Sequence, residues 1–108
     1  MELEPAQISF SVEPGQCAVR LAGALGVANA EELHRLAGEL CAYRKDVVVD
    51  WSEATQLDAS IAQVLLCLRA GLQEQDKSLS GRAVPPAIQT WLQTAGLAAI
   101  LGEVTAGK

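Results

Sequence analysis

Apolar and polar residues alternate in two short segments near the start of the chain. In residues 8–12, isoleucine, phenylalanine and valine alternate with serine, and residues 17–21 repeat the pattern with cysteine, valine and leucine. Strict alternation is typical of a strand that is buried on one face. Glu13-Pro14-Gly15-Gln16 lies between the segments and favours a tight turn, and we expect a type II turn in which Gly15 takes a positive φ. The pattern therefore predicts an antiparallel hairpin.

Further along the chain, three segments carry apolar residues at helical spacing. Asn29 and Asp58 stand near the starts of the first two segments and are candidates for their N-caps. Pro85 and Pro86 stand where the third helix would begin, and Gly96 is placed to end it. The predicted apolar stripes are Leu33, Leu36, Ala37, Leu40 and Cys41; Ile61, Val64, Leu65, Leu68 and Leu72; and Ile88, Trp91, Leu92 and Ala95.

The remaining strands are predicted from runs of β-branched and alternating residues. Residues 47–49 are three valines, and a continuous run of this kind indicates a strand that is covered on both faces at the centre of a parallel sheet. Residues 78–84 alternate more weakly, and Ile100-Leu101 is a short candidate for a closing strand. The polar residues 52–56 are expected to form a loop.

These elements follow one another in the order β-β-α-β-α-β-α. Strand–helix–strand steps favour right-handed crossovers and parallel pairing, whereas the first hairpin is antiparallel. The prediction is an α/β fold with a mixed β-sheet of four to five strands and helices packed largely on one side. We expect residues 8–101 to form this one domain, with an N-terminal extension at 1–7 and a flexible C-terminal tail at 102–108.

Composition agrees with one compact domain and narrows the classes of partner. Of the 108 residues, 50% are hydrophobic and 19% are charged, a balance typical of a globular protein with a packed core. Thirteen acidic residues against eight lysines and arginines give a formal net charge of −5. Nucleic acids and anionic membrane surfaces bind clustered basic residues. We therefore expect no nucleic acid partner and no direct membrane insertion.

The cysteines indicate a reducing compartment. Cys17, Cys41 and Cys67 are widely spaced and form no Cys-x-x-Cys pair. Each lies within an apolar pattern, so we interpret all three as small core residues of a reduced, cytoplasmic protein. The first five residues include two glutamates and precede no apolar run, so they do not predict a secretory signal. No segment approaches the roughly 20 apolar residues of a membrane span.

Few residues are candidates for catalysis. His34 is the only histidine; it lies one position off the first helical stripe and is expected to face solvent, without metal ligands at the required spacing. Ser60 lacks a Gly-x-Ser-x-Gly context. Gly23 and Gly26 bracket a predicted loop between a strand and a helix, which leaves a phosphate-binding turn as an alternative, although the Gly-x-Gly-x-x-Gly spacing is absent. We predict a non-enzymatic protein without a metal or cofactor.

The second predicted helix has an unusually smooth outer face. With its apolar stripe turned inward and an advance of about 100° per residue, Ala59, Gln63, Leu66 and Ala70 point outward. Exposed helix faces normally carry charge, and small side chains let another backbone approach closely. The pattern fits either plain solvent-exposed surface or a protein-docking face, which would also include Ser60.

Three stretches carry motifs whose order and spacing are those of one known family. Residues 47–52 (Val-Val-Val-Asp-Trp-Ser) are similar to a strand ending in Asp-Leu-Ser, and residues 57–66 to a helix start of the form Ile-Asp-Ser-Ser-Gly-Leu. Residues 85–97 are similar to a closing helix with a terminal Gly-Leu. Together they resemble the STAS family, the fold of the anti-sigma-factor antagonists, over most of residues 8–101.

The resemblance implies a phosphorylation and partner-binding site at the start of the second helix. Several residues of this chain differ there from the family motif. In the best-known STAS proteins, the serine directly after the aspartate is phosphorylated by a partner kinase, and this switches off binding. Here the matching position is Ala59, which has no hydroxyl, so Ser60 is a displaced phosphoacceptor candidate. Ile61 replaces the expected glycine, and Leu25-Gly26 replaces the family's usual Leu-Asp. The variant is similar to STAS proteins of chemotaxis and transport operons that act as unphosphorylated adaptors.

The function implied is bacterial signal transduction and transcription regulation through protein–protein interaction. On this interpretation the domain binds a kinase-type anti-sigma factor or a related signalling partner. Asp58 stabilises the helix start, and the partner contacts Ala59, Ser60, Gln63, Leu66 and Ala70. An alternative is the small cytoplasmic STAS subunit of an ABC lipid transporter, which binds the ATPase subunit. A third is a small nucleotide-binding α/β protein. Each of these functions is compatible with a homo-oligomer.

Overall fold

The computed structural model describes residues 6–102, which form a four-stranded sheet, three α-helices and one 3-10 helix. The sheet order is β1-β2-β3-β4, with an antiparallel β1–β2 pair and parallel β2–β3 and β3–β4 pairs. The predicted mixed α/β fold is therefore confirmed. The elements are β1 (Gln7–Val12), β2 (Gln16–Leu25), α1 (Val27–Ala42), β3 (Asp46–Leu57), α2 (Ala59–Gln73), β4 (Leu79–Arg82), α3 (Pro86–Thr94) and the 3-10 helix (Ala98–Leu101).

The core lies between one face of the sheet and the helices. Val19, Leu21, Val49 and Trp51 point to this face and are at most 1% exposed. All five residues of the predicted α2 stripe are buried, together with Ala62. Complete burial of such side chains contributes about 1.5–3 kcal/mol each, so α2 is held mainly by its packing rather than by its intrinsic helix propensity.

The opposite face of the sheet is more polar. Ser9, Arg20, Asp50 and Arg82 stand side by side across the four strands. The guanidinium of Arg82 lies 3.5 Å from an Asp50 carboxylate oxygen, an exposed pair of the kind that contributes little to stability. Val48 also points to this face and lies outside the main core cluster, although only 9% of it is exposed. The three valines of residues 47–49 are thus all buried, as predicted for a central strand.

Residues 52–56 do not form the predicted loop, because β3 continues through them to Leu57. β2 is ten residues long and supplies strand partners beyond the valine run, pairing Gly23 with Ala54 and Leu25 with Leu57. Two register shifts in this pairing break the period-two pattern that marks a strand in the sequence. Gly23, expected in a loop, lies inside β2 at a register shift with φ of 83°, which glycine adopts without steric cost.

The N-cap of α1 is Gly26, so the prediction of Asn29 as the cap is wrong. Asn29 is the third residue of the helix, and its Oδ1 accepts a hydrogen bond from the Gly26 N–H at 2.9 Å. The Asn29 N–H in turn donates to the Gly26 carbonyl at 3.0 Å. The asparagine therefore stabilises the helix start from inside the first turn, as the N3 residue of a capping box does.

Two further predictions about local backbone are wrong. The hairpin between β1 and β2 closes with the Glu13 N–H donating to the Gln16 carbonyl at 2.8 Å, but Gly15 does not take a positive φ, so the turn is not type II. Ile100 and Leu101 belong to the 3-10 helix rather than to a fifth strand. That helix packs on β4 and α2, which bury both side chains without ladder hydrogen bonds.

The cysteines differ from one another in burial. Cys17 is buried and Cys41 half-buried, but Cys67 is exposed on the outer side of α2, so the prediction that all three are core residues is wrong for Cys67. His34 is exposed, as predicted. Gln7 begins β1 rather than belonging to an extension, whereas residues 1–5 and 103–108 lie outside the described residues. Of the described helices, none is long and apolar enough to cross a membrane.

Leu65→Ala should destabilise the domain strongly, because Leu65 is fully buried at the centre of the α2 stripe. Removing its branched side chain leaves a cavity that costs about 2–5 kcal/mol of unfolding free energy. Cys67→Ala, two positions away on the exposed side of the same helix, should change it by less than about 0.5 kcal/mol. Urea denaturation of both variants measures the difference, and equal effects would contradict the orientation of α2.

Candidate functional site

Asp58 joins the end of the sheet to the start of α2. Its N–H donates to the carbonyl of Leu25 at the end of β2, at 3.0 Å. Its Oδ2 accepts two hydrogen bonds from Ser60, one from the backbone N–H at 2.9 Å and one from the hydroxyl at 2.6 Å. Asp58 is thus the N-cap of α2, as expected, and the same residue fixes both β2 and the first turn of the helix.

The Asp58 carboxylate is ionised well into the acid range. The hydrogen bonds from the side chain and then the backbone of Ser60 hold the pKa of Asp58 below its ordinary value, although the residue is exposed to solvent. An anion at this position also interacts favourably with the positive end of the helix dipole. The start of α2 is therefore a hydrogen-bonded turn that is stabilised by a negative charge.

The exposure of the residues in the predicted docking face agrees with the prediction in part. Ala59, Gln63 and Ala70 are exposed, and Ser60 is half-buried. Leu66 does not point outward as predicted: it is half-buried and packs against the core. The buried side of α2 is wider than its apolar stripe, because Ala62 is also fully buried and lies on the same side of the helix as Leu66.

Cys67 is exposed on the outer side of α2, where Leu66 was predicted to lie. It follows Gln63 by four residues and therefore lies directly above it on the helix surface. Between Ala59 and Gln73 the only charged side chain is Arg69, which is half-buried. We call the surface formed by Asp58, Ala59, Ser60, Gln63, Cys67 and Ala70 the α2 tip. Apart from the Asp58 cap its side chains are uncharged, and all but Gln63 are small.

A cleft of about 560 Å³ opens beside the α2 tip. The carboxyl ends of β2 and β3 form its floor, and α3 forms the opposite wall with Ile88 and the half-buried ring of Trp91. Asp58 lies at its rim. This cleft could not be predicted from the sequence, because the apolar helical stripe that contains Trp91 does not indicate which strands the helix packs against.

The segment considered as a phosphate-binding turn is not a loop. Gly23 lies within β2, and Gly26 is the N-cap of α1 at the edge of the cleft. Within residues 6–102, no three His, Cys, Asp or Glu side chains come close enough together to hold a metal ion.

The geometry of a strand that ends at an aspartate cap, followed by an amphipathic helix, agrees with the motifs found in the sequence. A family model described as "Mlab, STAS domain" matches residues 8–103. The chain belongs to this STAS family. Membership of this family supports a regulatory protein-interaction module.

Solved structures share the fold of this STAS domain. An anti-sigma factor antagonist from Mycobacterium paratuberculosis superposes with a TM-score of 0.79 at 17% identity, over 94% of this chain and 86% of that one. SpoIIAA, an anti-sigma factor antagonist, gives 0.73 at 14% identity in its unphosphorylated form, over 94% of this chain and 89% of that one. Phosphorylated Bacillus SpoIIAA gives 0.69 at 14% identity, over 94% and 92%. A search of curated proteins gives no match.

Asp58→Ala should lower the melting temperature at neutral pH, and this difference should disappear in acid. Because folding lowers the pKa of Asp58, its ionised form stabilises the fold above the unfolded-state pKa of about 3.9. That contribution is lost as the pH falls through the lower folded-state pKa. Thermal unfolding of both proteins from about pH 7 to about pH 2.5 measures the difference.

Glu39→Ala is the control for this experiment, because Glu39 is an exposed carboxylate in α1 that caps no helix. A difference between wild type and Asp58→Ala that stays constant over the whole pH range would contradict the role of the carboxylate in the cap.

Proposed function

We propose that this STAS domain is a non-enzymatic adaptor that docks another protein through the α2 tip, and that its partner is a kinase-type anti-sigma factor or a related signalling protein. The observation that carries the proposal is the combination of exposure, rigidity and low charge at the start of α2. Ala59, Gln63 and Ala70 are exposed, and the Asp58 cap fixes the turn that precedes them.

The energetics of association favour such a surface. Alanine has no side-chain conformational entropy to lose when a partner covers it, and burying uncharged groups avoids the desolvation penalty of buried ions. The hydrogen bonds of Asp58 to Leu25 and Ser60 hold the tip in one conformation before the partner arrives. Preorganisation of this kind increases affinity, because less order has to be created on binding.

The cleft beside the tip adds a pocket for a partner side chain. Binding energy in protein interfaces is concentrated in large side chains that fill pockets, with smaller contacts around them. The half-buried Trp91 offers aromatic surface to such an anchor, and Ile88 lines the same wall. We therefore expect the interface to run from the α2 tip across Asp58 to α3.

Ser60 is the hydroxyl through which phosphorylation would act on this surface. Its Oγ lies 2.6 Å from Asp58 Oδ2, so a phosphate on that oxygen would place a charge of about −1.5 to −2 against the cap carboxylate. Repulsion between the two anions would break the cap as well as prevent a close approach of the partner. With Ala59 lacking a hydroxyl, the tip is arranged to bind in its unmodified state.

A second candidate function is the STAS subunit of an ABC lipid transporter, docked on the ATPase subunit. The absence of a hydroxyl at Ala59 favours it, because a permanent subunit needs no phosphorylation switch. The matching family model also bears the name Mlab rather than that of the anti-sigma-factor antagonists. Both candidates use the same surface and differ in the partner.

Ala59→Glu should abolish partner binding without unfolding the domain. A glutamate in the first turn of α2 is compatible with the helix dipole but puts a charge where the partner's surface must approach. Partners are first captured from lysate of the source organism and identified by mass spectrometry, and the purified pair is then measured by titration calorimetry. Ala28→Glu, at an exposed alanine in the first turn of α1, is the matched control and should bind normally. Undiminished binding by Ala59→Glu would show that the docking surface lies elsewhere.

Phosphorylation separates the two candidate functions. Under the anti-sigma proposal, incubation with the partner kinase and ATP should add one phosphate by intact-mass measurement, and Ser60→Ala should remain unmodified. Under the transporter proposal, the chain should co-purify with an ATPase subunit and gain no phosphate. Phosphate that is added equally to the wild type and to Ser60→Ala would contradict the assignment of Ser60.

A further inference from the structure

The outer edge of β1 is an unprotected sheet edge. β1 is the first strand in the sheet order, and within residues 6–102 no strand pairs with its outer side. Natural edge strands usually avoid association through lysine, proline, bulges or short length. The six residues Gln7–Val12 contain no charged residue and no proline, and their pairing with β2 runs without a register shift. This edge is therefore open to another strand.

The hairpin geometry determines which backbone groups point outward. The Glu13 N–H donates to the Gln16 carbonyl, so this pair is hydrogen-bonded across the hairpin. Hydrogen-bonded and non-hydrogen-bonded pairs alternate along an antiparallel ladder. Counting back along β1, the N–H and C=O groups of Ile8, Phe10 and Val12 must point away from β2. These are the groups available to a further strand.

The same three residues carry an exposed apolar patch. Their side chains lie on the core face of the sheet, yet Phe10 is 38% and Val12 43% exposed. Tyr43, also 43% exposed, lies with its ring centroid 6.4 Å from that of Phe10. Of the four large hydrophobic residues that are exposed within the described part of the chain, only Val27 lies elsewhere. We call Ile8, Phe10, Val12 and Tyr43 the β1 patch.

The sequence of this strand is symmetric about Phe10. Gln7-Ile8-Ser9-Phe10-Ser11-Val12-Glu13 has the same order of residue types in both directions: polar, β-branched, serine, phenylalanine, serine, β-branched, polar. In an antiparallel pair with Phe10 opposite Phe10, each isoleucine faces a valine and each Ser9 faces a Ser11. At the ends each Gln7 amide faces a Glu13 carboxylate, so no like charges meet.

Backbone and side chains select the same register. With Phe10 opposite Phe10, all the outward-facing N–H and C=O groups of Ile8, Phe10 and Val12 find partners. A shift by one residue would place apolar side chains opposite serines on the wrong face. A shift by two residues would leave one outward-facing residue of each strand without a partner.

We propose that β1 is a self-association surface, through which two copies of this chain pair antiparallel about a two-fold axis at Phe10 and join their sheets into one. The interface is isologous, with the same patch contributed by both copies. α2 packs against α1, β3 and β4 rather than against β1, so the α2 tip stays accessible in the dimer. The proposal does not depend on the function of that tip.

The test is the mass of the full chain in solution. Sedimentation analysis should show the weight-average mass rising with concentration from 11.4 kDa toward twice that value. Phe10→Lys places two ammonium groups opposite each other at the axis and should abolish the dimer, and Phe10→Glu should do the same. An equimolar mixture of the two variants should dimerise again, because lysine then faces glutamate. Val27→Lys makes the same change at an exposed residue outside the patch and should leave the dimer intact.

Three results would overturn the proposal: a wild type that stays monomeric at every concentration, a Phe10→Lys variant that dimerises like wild type, or a mixture of the charge variants that remains monomeric. If the Phe10 variants do not fold, amide hydrogen exchange of the wild type at two protein concentrations tests the pairing instead. The amides of Ile8, Phe10 and Val12 should exchange more slowly in concentrated than in dilute solution, whereas those of Ser9 and Ser11 already bond to β2. Exchange independent of concentration would then refute the pairing.

Discussion

The hydrogen bonds of Asp58 determine the geometry on which the rest of the proposed docking surface depends. The residue follows β3 directly, binds the end of β2 through its N–H and holds the first turn of α2 through its carboxylate. Without this junction the exposed start of α2 would be an ordinary frayed helix end, with unsatisfied N–H groups. With it, the side chains that follow are presented at a fixed place beside the sheet, and Ile61 and Leu65 anchor the helix in the core.

Under the proposed function, the same junction allows the docking surface to form although Ala59 has no hydroxyl. Ala59 occupies the first helical position, where its side chain makes no hydrogen bond that the fold requires. The Ser60 hydroxyl is bound to the cap carboxylate, so here it contributes to the structure of the turn. A surface built in this way is complete without modification. A phosphate at Ser60 would disturb the turn itself, so any switch would act on the conformation of the tip as well as on its charge.

Sequence patterns predicted those features that depend on a regular period and a continuous core. The hairpin, the valine strand and the α2 stripe follow from period-two or helical burial, and the Asp58 cap follows from a local rule. Residues 52–56 were wrongly predicted to form a loop. They continue β3 because they pair with β2 across two register shifts, and pairing between residues distant in the sequence leaves no periodic signal. The orientation of Leu66 failed for a related reason: a small buried neighbour, Ala62, widens the core-facing side of α2 beyond its large apolar residues.

Hydrogen exchange of the chain alone and in complex with its identified partner tests the central claim most directly. Docking through the α2 tip should slow amide exchange in residues 58–70 and around Trp91, while the amides on the outer edge of β1 keep the rates of the unbound protein at the same concentration. Protection confined to β1 or to the polar face of the sheet, with unchanged exchange at the start of α2, would contradict the account.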